Sequence, residues 1–545
     1  SACSTKTTDT KNTPAPAPAT QDPNAVVDGG TFTIGSFSDI TTLNPITSAD
    51  TASSDVMRFI FSSLYDYNKN FDLEVNDRTD GAELPKVSAD GLTYTIKMKK
   101  GLKWSDGSAL TADDYVLTFQ LLANKETGSP GYSGYEGVKE IKKVDDTTIQ
   151  ITLKEPDSRF IWSTNITPVP AKIFKDVKPV DVDGHAFGKD PAKTLFNGPY
   201  IWKEWQQKQF HKLERNPNFA GKKANIQEVI FKIYADQNTE VQALVAGEID
   251  FVSTVPVATL PAVTGKPGVK ISENLGQSYD YLMFNFKDAA FPGGKSPFKG
   301  AKTRQAIGHA INRKGMIDSV LKGHGTPLNG PFLPNSWAND ASVATGYDYS
   351  VETAKKLLAE DGWKAGADGI LAKDGQKFEF DLMTNSGNKR REGYIAVIQQ
   401  NLAEVGIKVN LKPVDFSAIV DNYTKKSDFQ ALVLGWSLNS PDPDSESVFS
   451  SKYPPPAGQN SGLYKNEKTD QLWVDGYRTA DQAKRKAIYS DILKEFKNDP
   501  PYIFLGVMNV MTTYRDRVHF KDADQPVQSV SGGYLFHVHD WWVTK

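Results

Sequence analysis

The chain has 545 residues but a single cysteine, Cys3, and no run of 18 or more consecutive apolar residues. One thiol excludes an internal disulfide and a cysteine-based zinc site. The lack of a long apolar run argues against a membrane-spanning helix. Charge of one sign is not in excess either, because 63 Lys and Arg oppose 66 Asp and Glu for a net charge of −3. Since proteins that follow a phosphate backbone normally carry a basic excess, we expect no nucleic-acid partner.

Sequence motifs of the common catalytic classes are also lacking. The chain contains no G-x-S-x-G, no G-x-x-x-x-G-K-[ST], no G-x-G-x-x-G and no H-E-x-x-H. The acidic run that starts at Asp442 has the spacing of a calcium loop, but Ser447 and Tyr453 stand where glycine and glutamate are needed. His537 and His539 would share one face of a strand, but with two tryptophans nearby we favour packing over metal binding. We therefore expect no metal and no cofactor.

The residues that are abundant indicate a multidomain globular protein. Hydrophobic residues make up 39% and aromatic residues 11%, enough for packed cores. At roughly 100 to 200 residues per domain, the length predicts two to four domains.

The first 28 residues differ from the rest. Ser1-Ala2-Cys3 resembles the end of a bacterial lipobox, in which the cysteine receives a diacylglycerol; the alternative is an unpaired cysteine at a terminus. The following residues, 4–28, are rich in Thr, Pro and Ala and cannot bury enough apolar surface to offset their ordering entropy. We expect 1–28 to be a lipid-anchor cysteine followed by a disordered linker.

Hydrophobic periodicity predicts alternating helices and strands, and hence an α/β fold. A strand is expected at 31–34, a helix within 50–67 that is capped by Ser53 or Ser54, and a helix that begins after Thr111. Period-two alternation predicts strands at 93–98 and 148–153. Further helices are predicted over 239–246, 302–321, 350–361, 391–405, 416–425 and 481–497, and further strands over 228–234, 279–286, 378–384, 408–413, 431–436 and 502–507.

One segment carries a family resemblance. Residues 90–114, DGLTYTIKMKKGLKWSDGSALTADD, combine a strand, a basic turn, a Ser-Asp-Gly turn and a capped helix. This order resembles the signature of family 5 extracellular solute-binding proteins, the receptors of oligopeptide, dipeptide and nickel ABC importers. Other segments match in family order from about residue 29 to 545: 43–45, 197–200, 205, 216–217, 304–307, 310–313, 354–363, 435–436 and 441–443.

The resemblance implies an α/β, two-lobed periplasmic-binding-protein-like fold of type II, cluster C, with an extra inserted domain and a two-strand hinge. The lobes would close on a ligand between them. The implied boundaries are 29–55, 185–275 and 508–545 for lobe one, 56–184 for the inserted domain and 276–507 for lobe two.

The resemblance also implies a function without covalent chemistry. The chain would be an extracytoplasmic receptor that captures oligopeptides and delivers them to the permease of an ABC importer. We expect a monomer that is lipid-anchored to the outer face of the bacterial cell membrane. Two alternatives stay open: a receptor of the same fold for a nickel chelate or an opine-like compound, and a surface peptidase.

The expected ligand contacts centre on Gly435 and Trp436. In peptide-binding relatives, an aspartate three residues past the tryptophan pairs with the α-ammonium, but this chain has Asn439 there. Either the receptor is of the App type, which holds peptides through backbone hydrogen bonds without fixing an end, or Asp442 or Asp444 takes over the ammonium. The string Gly435-Trp436-Ser437-Leu438 resembles App-type receptors and favours the first.

Other expected contacts are polar residues at turns and at the presumed lobe crossover. Arg391 lies at a strand-to-helix turn that can meet an anion; it would hold acidic side chains or a C-terminus, or be plain surface charge. The remaining expected contacts are Asn385 in the same turn, Asn44 after the first strand, and Tyr279, Tyr281 and Asn285 at the crossover.

Overall fold

The computed structural model describes residues 14–17, 22, 25–68, 70–438, 440–521, 535 and 537–545. These residues form a mixed α/β structure, which confirms the predicted class. In chain order the strands are β1 (Thr31–Ser36), β2 (Asp66–Tyr67), β3 (Leu73–Glu74), β4 (Lys86–Val87), β5 (Thr93–Lys97), β6 (Val138–Asp145), β7 (Thr148–Leu153), β8 (Tyr200–Gln206), β9 (Phe210–Arg215), β10 (Glu228–Ile233), β11 (Phe251–Val252), β12 (Val269–Asn274), β13 (Ser278–Phe284), β14 (Gly325–Pro327), β15 (Lys364–Ala365), β16 (Leu371–Lys373), β17 (Gln376–Lys377), β18 (Glu379–Asn385), β19 (Lys408–Val414), β20 (Ala431–Ser437), β21 (Tyr502–Met508), β22 (Val510–Arg515), β23 (Val518–His519) and β24 (Trp542–Val543). The α-helices are α1 (Thr51–Ile60), α2 (Ala112–Leu122), α3 (Phe160–Ser163), α4 (Ala171–Phe174), α5 (Gln237–Ala246), α6 (Ala301–Ala310), α7 (Arg313–Val320), α8 (Val351–Glu360), α9 (Lys389–Ala403), α10 (Phe416–Ala418), α11 (Glu446–Phe449), α12 (Glu467–Arg478) and α13 (Gln482–Asn498).

A seven-stranded sheet in the order β12-β22-β11-β1-β10-β9-β8 joins distant parts of the chain. Within this sheet, β1 is parallel to both of its neighbours, β10 and β11. Phe32 and Ile34 alternate with less buried residues along β1, so that one face of this strand packs into the core.

A smaller four-stranded sheet, β4-β5-β7-β6, shares this core. Helix α2 packs on it, and the predicted start of this helix is confirmed. Thr111 caps the helix, and the Asp114 side chain accepts a hydrogen bond from the Thr111 N–H, which completes a capping box.

The six-stranded sheet, β14-β21-β13-β20-β18-β19, carries the candidate site. Strand β18 is parallel to both β19 and β20, whereas β13 is antiparallel to β20 and β21. Helices and loops cover both faces, so its central strands are nearly continuous apolar runs.

The two large sheets are joined by two neighbouring crossings of the chain. One runs from β12 to β13 and the other from β21 to β22. The crossings are so close that a Cβ on Gly276 would lie 2.1 Å from the Met508 carbonyl oxygen, so only glycine fits there. The domain boundaries drawn from the sequence stay a prediction.

Three predicted helices differ from the structure. Helix α1 is capped by Asp50, not by Ser53 or Ser54, and it ends at Ile60. The helix predicted over 302–321 is two helices, because Ile311 is extended and Asn312 caps a new start. Residues 416–425 form a turn of α-helix, a π-helical stretch and a 3₁₀ turn. Within the described part of the chain, no helix is both long and apolar enough to cross a membrane.

Candidate ligand-binding site

The candidate site lies where β18 and β20 part. The chain leaves β18 through α9 toward β19, and it leaves β20 toward the opposite side of the sheet, where β21 lies. Ligand crevices in open α/β sheets form at such points, outside the carboxyl ends of parallel strands. The two strands pair through Leu382↔Ala431 and Met383↔Leu432. Beyond these pairs the next hydrogen bond between the two strands comes from a side chain: the Thr384 Oγ1 donates to the Val433 carbonyl oxygen at 2.6 Å.

A cavity of about 400 Å³ lies beside the carboxyl end of β20. Its charged lining residues are Arg391 and Lys425, and no Asp or Glu is found among the described residues that line it. The other lining residues are Tyr281, Met283, Phe416, Val420, Thr424, Leu434, Gly435, Trp436, Pro455, Pro456, Gly458, Gln459 and Ser461. The size is near the lower end of ordinary small-molecule sites, about 300 to 1,000 Å³.

Arg391 is held in the first turn of α9 by two acceptors. Its Nε donates to Asp280 Oδ1 and its Nη1 to Asn385 Oδ1, each at 3.0 Å. A Cβ on Gly435 would lie 2.5 Å from Arg391 Nη2, so the guanidinium fits here only because residue 435 has no side chain. Asn385 thus orients Arg391, and Gly435 leaves room for its guanidinium. All three residues are among the ligand contacts expected from the sequence.

The wall around Arg391 carries one more positive than negative charge. Asp280, whose side chain is 5% exposed, also accepts from Arg390 Nε at 2.7 Å. Burial lowers the pKa of Arg390, but its bonds to Asp280 outweigh that effect and the pKa is raised. One carboxylate therefore serves two guanidinium groups, and the site favours an anion or a neutral group over a cation.

The aromatic side of the cavity is rigid. The Trp436 ring stacks on Tyr281 with centroids 5.8 Å apart, and Tyr281 stacks on Tyr502 at 4.3 Å. The Trp436 Nε1 donates to the Tyr502 hydroxyl at 3.2 Å. Tyr279 lies in the core beside Phe504 and does not line the cavity.

A few residues past Trp436, the chain enters a saturated ionic network. Asp442 Oδ2 accepts from Arg485 Nη1 at 3.0 Å and from Trp162 Nε1 at 2.7 Å, and Oδ1 accepts from Arg485 Nη2 at 3.3 Å. The Asp442 and Arg485 side chains are 7% and 2% exposed. Because both oxygens are committed, this placement does not favour Asp442 as the partner of a ligand ammonium.

Asp444 belongs to the same network and lines a second cavity of about 430 Å³ with Asp442. It accepts from Arg159 Nη1 at 3.1 Å, and Arg159 in turn lies over the Tyr477 ring, 3.9 Å from its centroid. Burial raises the pKa of Asp444 to about 7, although Arg159 acts in the opposite direction. The network joins the segment around Arg159 to the six-stranded half of the molecule.

Two residues that the sequence analysis expects to contact a ligand are buried and bonded within the chain. Asn285 is 0% exposed, donates to the carbonyl oxygens of Ser427 and Phe429, and accepts from the Lys287 N–H. Asn44, 1% exposed, donates to the Val182 carbonyl oxygen and accepts from the Ile46 N–H. Because their amide groups bond within the chain, this placement does not favour them as ligand contacts.

The remaining expected residues lie at the exit of β20 or outside the described residues. The Ser437 Oγ lies 3.1 Å from the Ser278 Oγ, and the Leu438 N–H donates to the Gln277 carbonyl oxygen at 2.8 Å, next to the crossing between the sheets. Asn439 and Cys3 lie outside the described residues. The sequence analysis did not predict that Phe416 and Lys425 line the cavity. The only sequence feature that points to them is an aromatic residue at one end and a cation at the other end of the segment 416–425, which periodicity predicts only as a helix.

The two histidines near the C-terminus do not form a pair of metal ligands on a strand. His537 is in the left-handed region and residues 538–540 form a 3₁₀ turn. His539 packs against Phe59, with ring centroids 5.9 Å apart. His537 lies 3.1 Å from Glu74.

Comparison with known proteins gives consistent results. The family model of bacterial extracellular solute-binding proteins, family 5 middle, matches residues 79–453. The oligopeptide-binding protein AppA of Bacillus subtilis is 33% identical over 531 residues, which cover 95% of this chain and 92% of AppA.

Three of the solved structures that resemble this chain each cover at least 94% of it. AppA from Bacillus subtilis in complex with a nonapeptide matches with a TM-score of 0.69 and 31% identity over 96% of this chain and 100% of that one. The ABC transporter substrate-binding protein CtaP of Listeria monocytogenes gives a TM-score of 0.79 at 26% identity, with 95% and 100% coverage. NikZ from Campylobacter jejuni in complex with Ni(L-His) gives 0.69 at 25% identity, with 94% and 99% coverage.

Proposed function

Because the chain belongs to family 5 of the bacterial extracellular solute-binding proteins, we propose that it is the oligopeptide receptor of an ABC importer. Members of this family bind substrates and do not transform them, and they share a two-lobed type II fold. The observation that carries the proposal is the parting of β18 and β20 beside the cavity of Gly435 and Trp436.

The parted strands support binding of the peptide through its main chain. Beyond Leu432, β20 continues to Ser437 with β13 on one side and the gap on the other. An extended peptide that lies in the gap exchanges main-chain hydrogen bonds with this edge, and these bonds do not depend on side chains. Arg391 holds a carboxylate of the peptide at the wall of the cavity. Since Asn439 replaces the family's aspartate, no carboxylate at that position fixes the peptide N-terminus, and length is tolerated.

Capture is completed by closure. The crossings at Gly276 and Met508 form the hinge between the lobes, and a peptide that contacts both lobes stabilises the closed state by its differential affinity. The closed receptor then delivers the peptide to the membrane permease. Lobe one takes 29–55, 185–275 and 508–545, the inserted domain 56–184, and lobe two 276–507.

The amino-terminal residues place the receptor at its permease. Cys3 carries a lipid that anchors a monomer to the outer face of the bacterial cell membrane, and residues 4–28 act as the tether.

A nickel chelate is the second candidate ligand. The similarity to NikZ in complex with Ni(L-His) favours it, as does a cavity whose arginine could hold the carboxylate of a small chelating amino acid. An opine-like compound would use the same arginine.

Mass spectrometry of the ligand that co-purifies, with thermal unfolding, tests the proposal. Peptides of about 5 to 15 residues should raise the melting temperature by mass action, whereas nickel with histidine should not. Arg391→Gln should weaken peptide binding, while Lys389→Gln, on the same helical turn with a side chain 91% exposed, should not. Absence of co-purifying peptides together with no thermal shift would reject the peptide receptor, and a shift with nickel and histidine alone would favour the second candidate. Cleavage of the added peptides would instead identify a peptidase.

A further inference from the structure

The cavity beside Trp436 has an apolar bed on three sides. Met283 and Leu434 come from the sheet, Phe416 and Val420 from the irregular helical segment, and Pro455 and Pro456 from a loop. Phe416 is 52% exposed and continues this apolar surface out to the mouth. Since apolar surface gains from leaving water, the bed suits a bulky apolar side chain rather than a polar one.

The charged side chains among the described residues that line the cavity are both basic. Lys425 reaches it from the 3₁₀ turn, with a side chain 58% exposed, and its Nζ lies 3.3 Å from Asp421 Oδ1, whose side chain is 63% exposed. An ion pair so exposed is weak, so Lys425 can leave Asp421 and turn to the cavity. Arg391 shares its carboxylate, Asp280, with Arg390.

A ligand lysine or arginine that enters the cavity would therefore lose water and meet two like charges without a carboxylate among the described lining residues. Specificity often depends on such a repulsive element as much as on an attractive one. Lys425 is the sharper probe of this element, because it contributes charge without being fixed to the core.

We propose that this cavity is the subsite of one ligand side chain, that it takes a bulky apolar residue, and that Lys425 and Arg391 exclude lysine and arginine from it. The inference rests on the proposed peptide receptor and adds a selectivity that backbone binding alone does not give. All other peptide positions remain tolerant.

A positional scan with nonapeptides tests the subsite. Alanine-based nonapeptides carry Phe or Lys at each position in turn, and the dissociation constant of each is measured by calorimetry. At one position Phe should bind about tenfold tighter than Ala, and Lys about tenfold weaker. Lys425→Glu should remove the penalty for Lys at that position. Lys426→Glu is the matched control, since this neighbour does not line the cavity. Thermal unfolding checks that both variants fold.

The outcomes separate this inference from the proposed function. If peptides bind but Lys is tolerated at every position, or if Lys425→Glu changes all positions equally, the subsite is wrong and the peptide receptor stands. If Lys426→Glu has the same effect as Lys425→Glu, the effect is general surface charge and the subsite is again wrong. If no nonapeptide binds, both proposals fall.

Discussion

Two neighbouring regions of the chain, the end of β20 at Gly435 and Trp436 and the loop at Asp442 and Asp444, are both expected from the sequence to contact a ligand. They differ in how their polar groups are used. The end of β20 borders a cavity with an apolar bed and an excess of positive charge. The loop is an ionic network in which Asp442 bonds to Arg485 and Trp162 through both oxygens.

The difference separates groups that stabilise the fold from groups that can bind a ligand. A buried carboxylate whose oxygens are bonded has already exchanged its water for protein partners, and breaking those bonds costs free energy. The end of β20 extends past its last pair with β18 and its side chains line a cavity, so a ligand binds there without breaking an ionic network. The loop should therefore respond to substitution mainly in stability, and the cavity mainly in affinity.

The largest expected effect is on stability, from Asp442→Ala. Removal of this carboxylate leaves Arg485, whose side chain is 2% exposed, buried without its ionic partner. We expect a loss of about 3 to 5 kcal/mol in the free energy of unfolding, measured by urea denaturation. Asp421→Ala is the control, because Asp421 forms an exposed pair. A loss below about 1 kcal/mol for Asp442→Ala would mean that the network does not stabilise the fold.

The next effect is a pH dependence carried by Asp444. Its folded-state pKa of about 7 lies above the ordinary value of 3.8, so between about pH 4 and pH 7 the folded protein keeps a proton that the unfolded chain has released. The stability contributed by this group is thus lost as pH rises through that window, by at most about 1.4 kcal/mol per pH unit. Asp444→Asn should remove this slope, while Arg159 keeps Asp157 as a partner.

The difference between variant and wild type isolates Asp444 from other carboxyl groups with raised pKa values, such as Asp80 and Glu240. Urea unfolding at intervals from pH 5 to pH 7 gives this difference. The free energy of unfolding of the Asp444→Asn variant, relative to that of the wild type, should increase as the pH rises. A difference that is constant with pH would show that Asp444 is ionised throughout.

A smaller effect, on affinity, is expected from Trp436→Ala. The ring lines the cavity and is fixed by Tyr281 and Tyr502, so it is a preorganised contact. We expect peptide binding to weaken by about 2 kcal/mol, roughly thirtyfold. Trp205→Ala, in the seven-stranded sheet, should leave the affinity unchanged. Equal losses from the two variants would indicate a general effect on folding.

The sequence predicts local structure, such as helix caps, better than it predicts side-chain contacts between distant segments. Thr111 is recognisable as a cap because the cap, the acids and the apolar stripe of α2 lie within one stretch of chain. By contrast, Asp442 meets Arg485 and Trp162 through tertiary packing, and periodicity carries no signal for such contacts. The intrachain bonds of Asn285 could not be predicted for the same reason, since its carbonyl partners lie in a distant segment.

The last prediction concerns Asn439, the position where the family's ammonium-binding aspartate is replaced. Since Asp442 is saturated, the chain as it stands should bind free and acetylated peptides nearly equally. Asn439→Asp adds a carboxylate just past the end of β20, and a charge-assisted bond is roughly twice as strong as a neutral one. We expect the variant to prefer a free N-terminus by about 1 kcal/mol, or roughly fivefold. Calorimetry with paired free and acetylated nonapeptides measures this preference. Asn439→Gln is the control, because it changes the same side chain without adding a carboxylate. Equal affinities for the two peptides in Asn439→Asp would mean that the peptide N-terminus lies elsewhere in the cleft, and the cavity would then have to be the sole fixed point of the ligand.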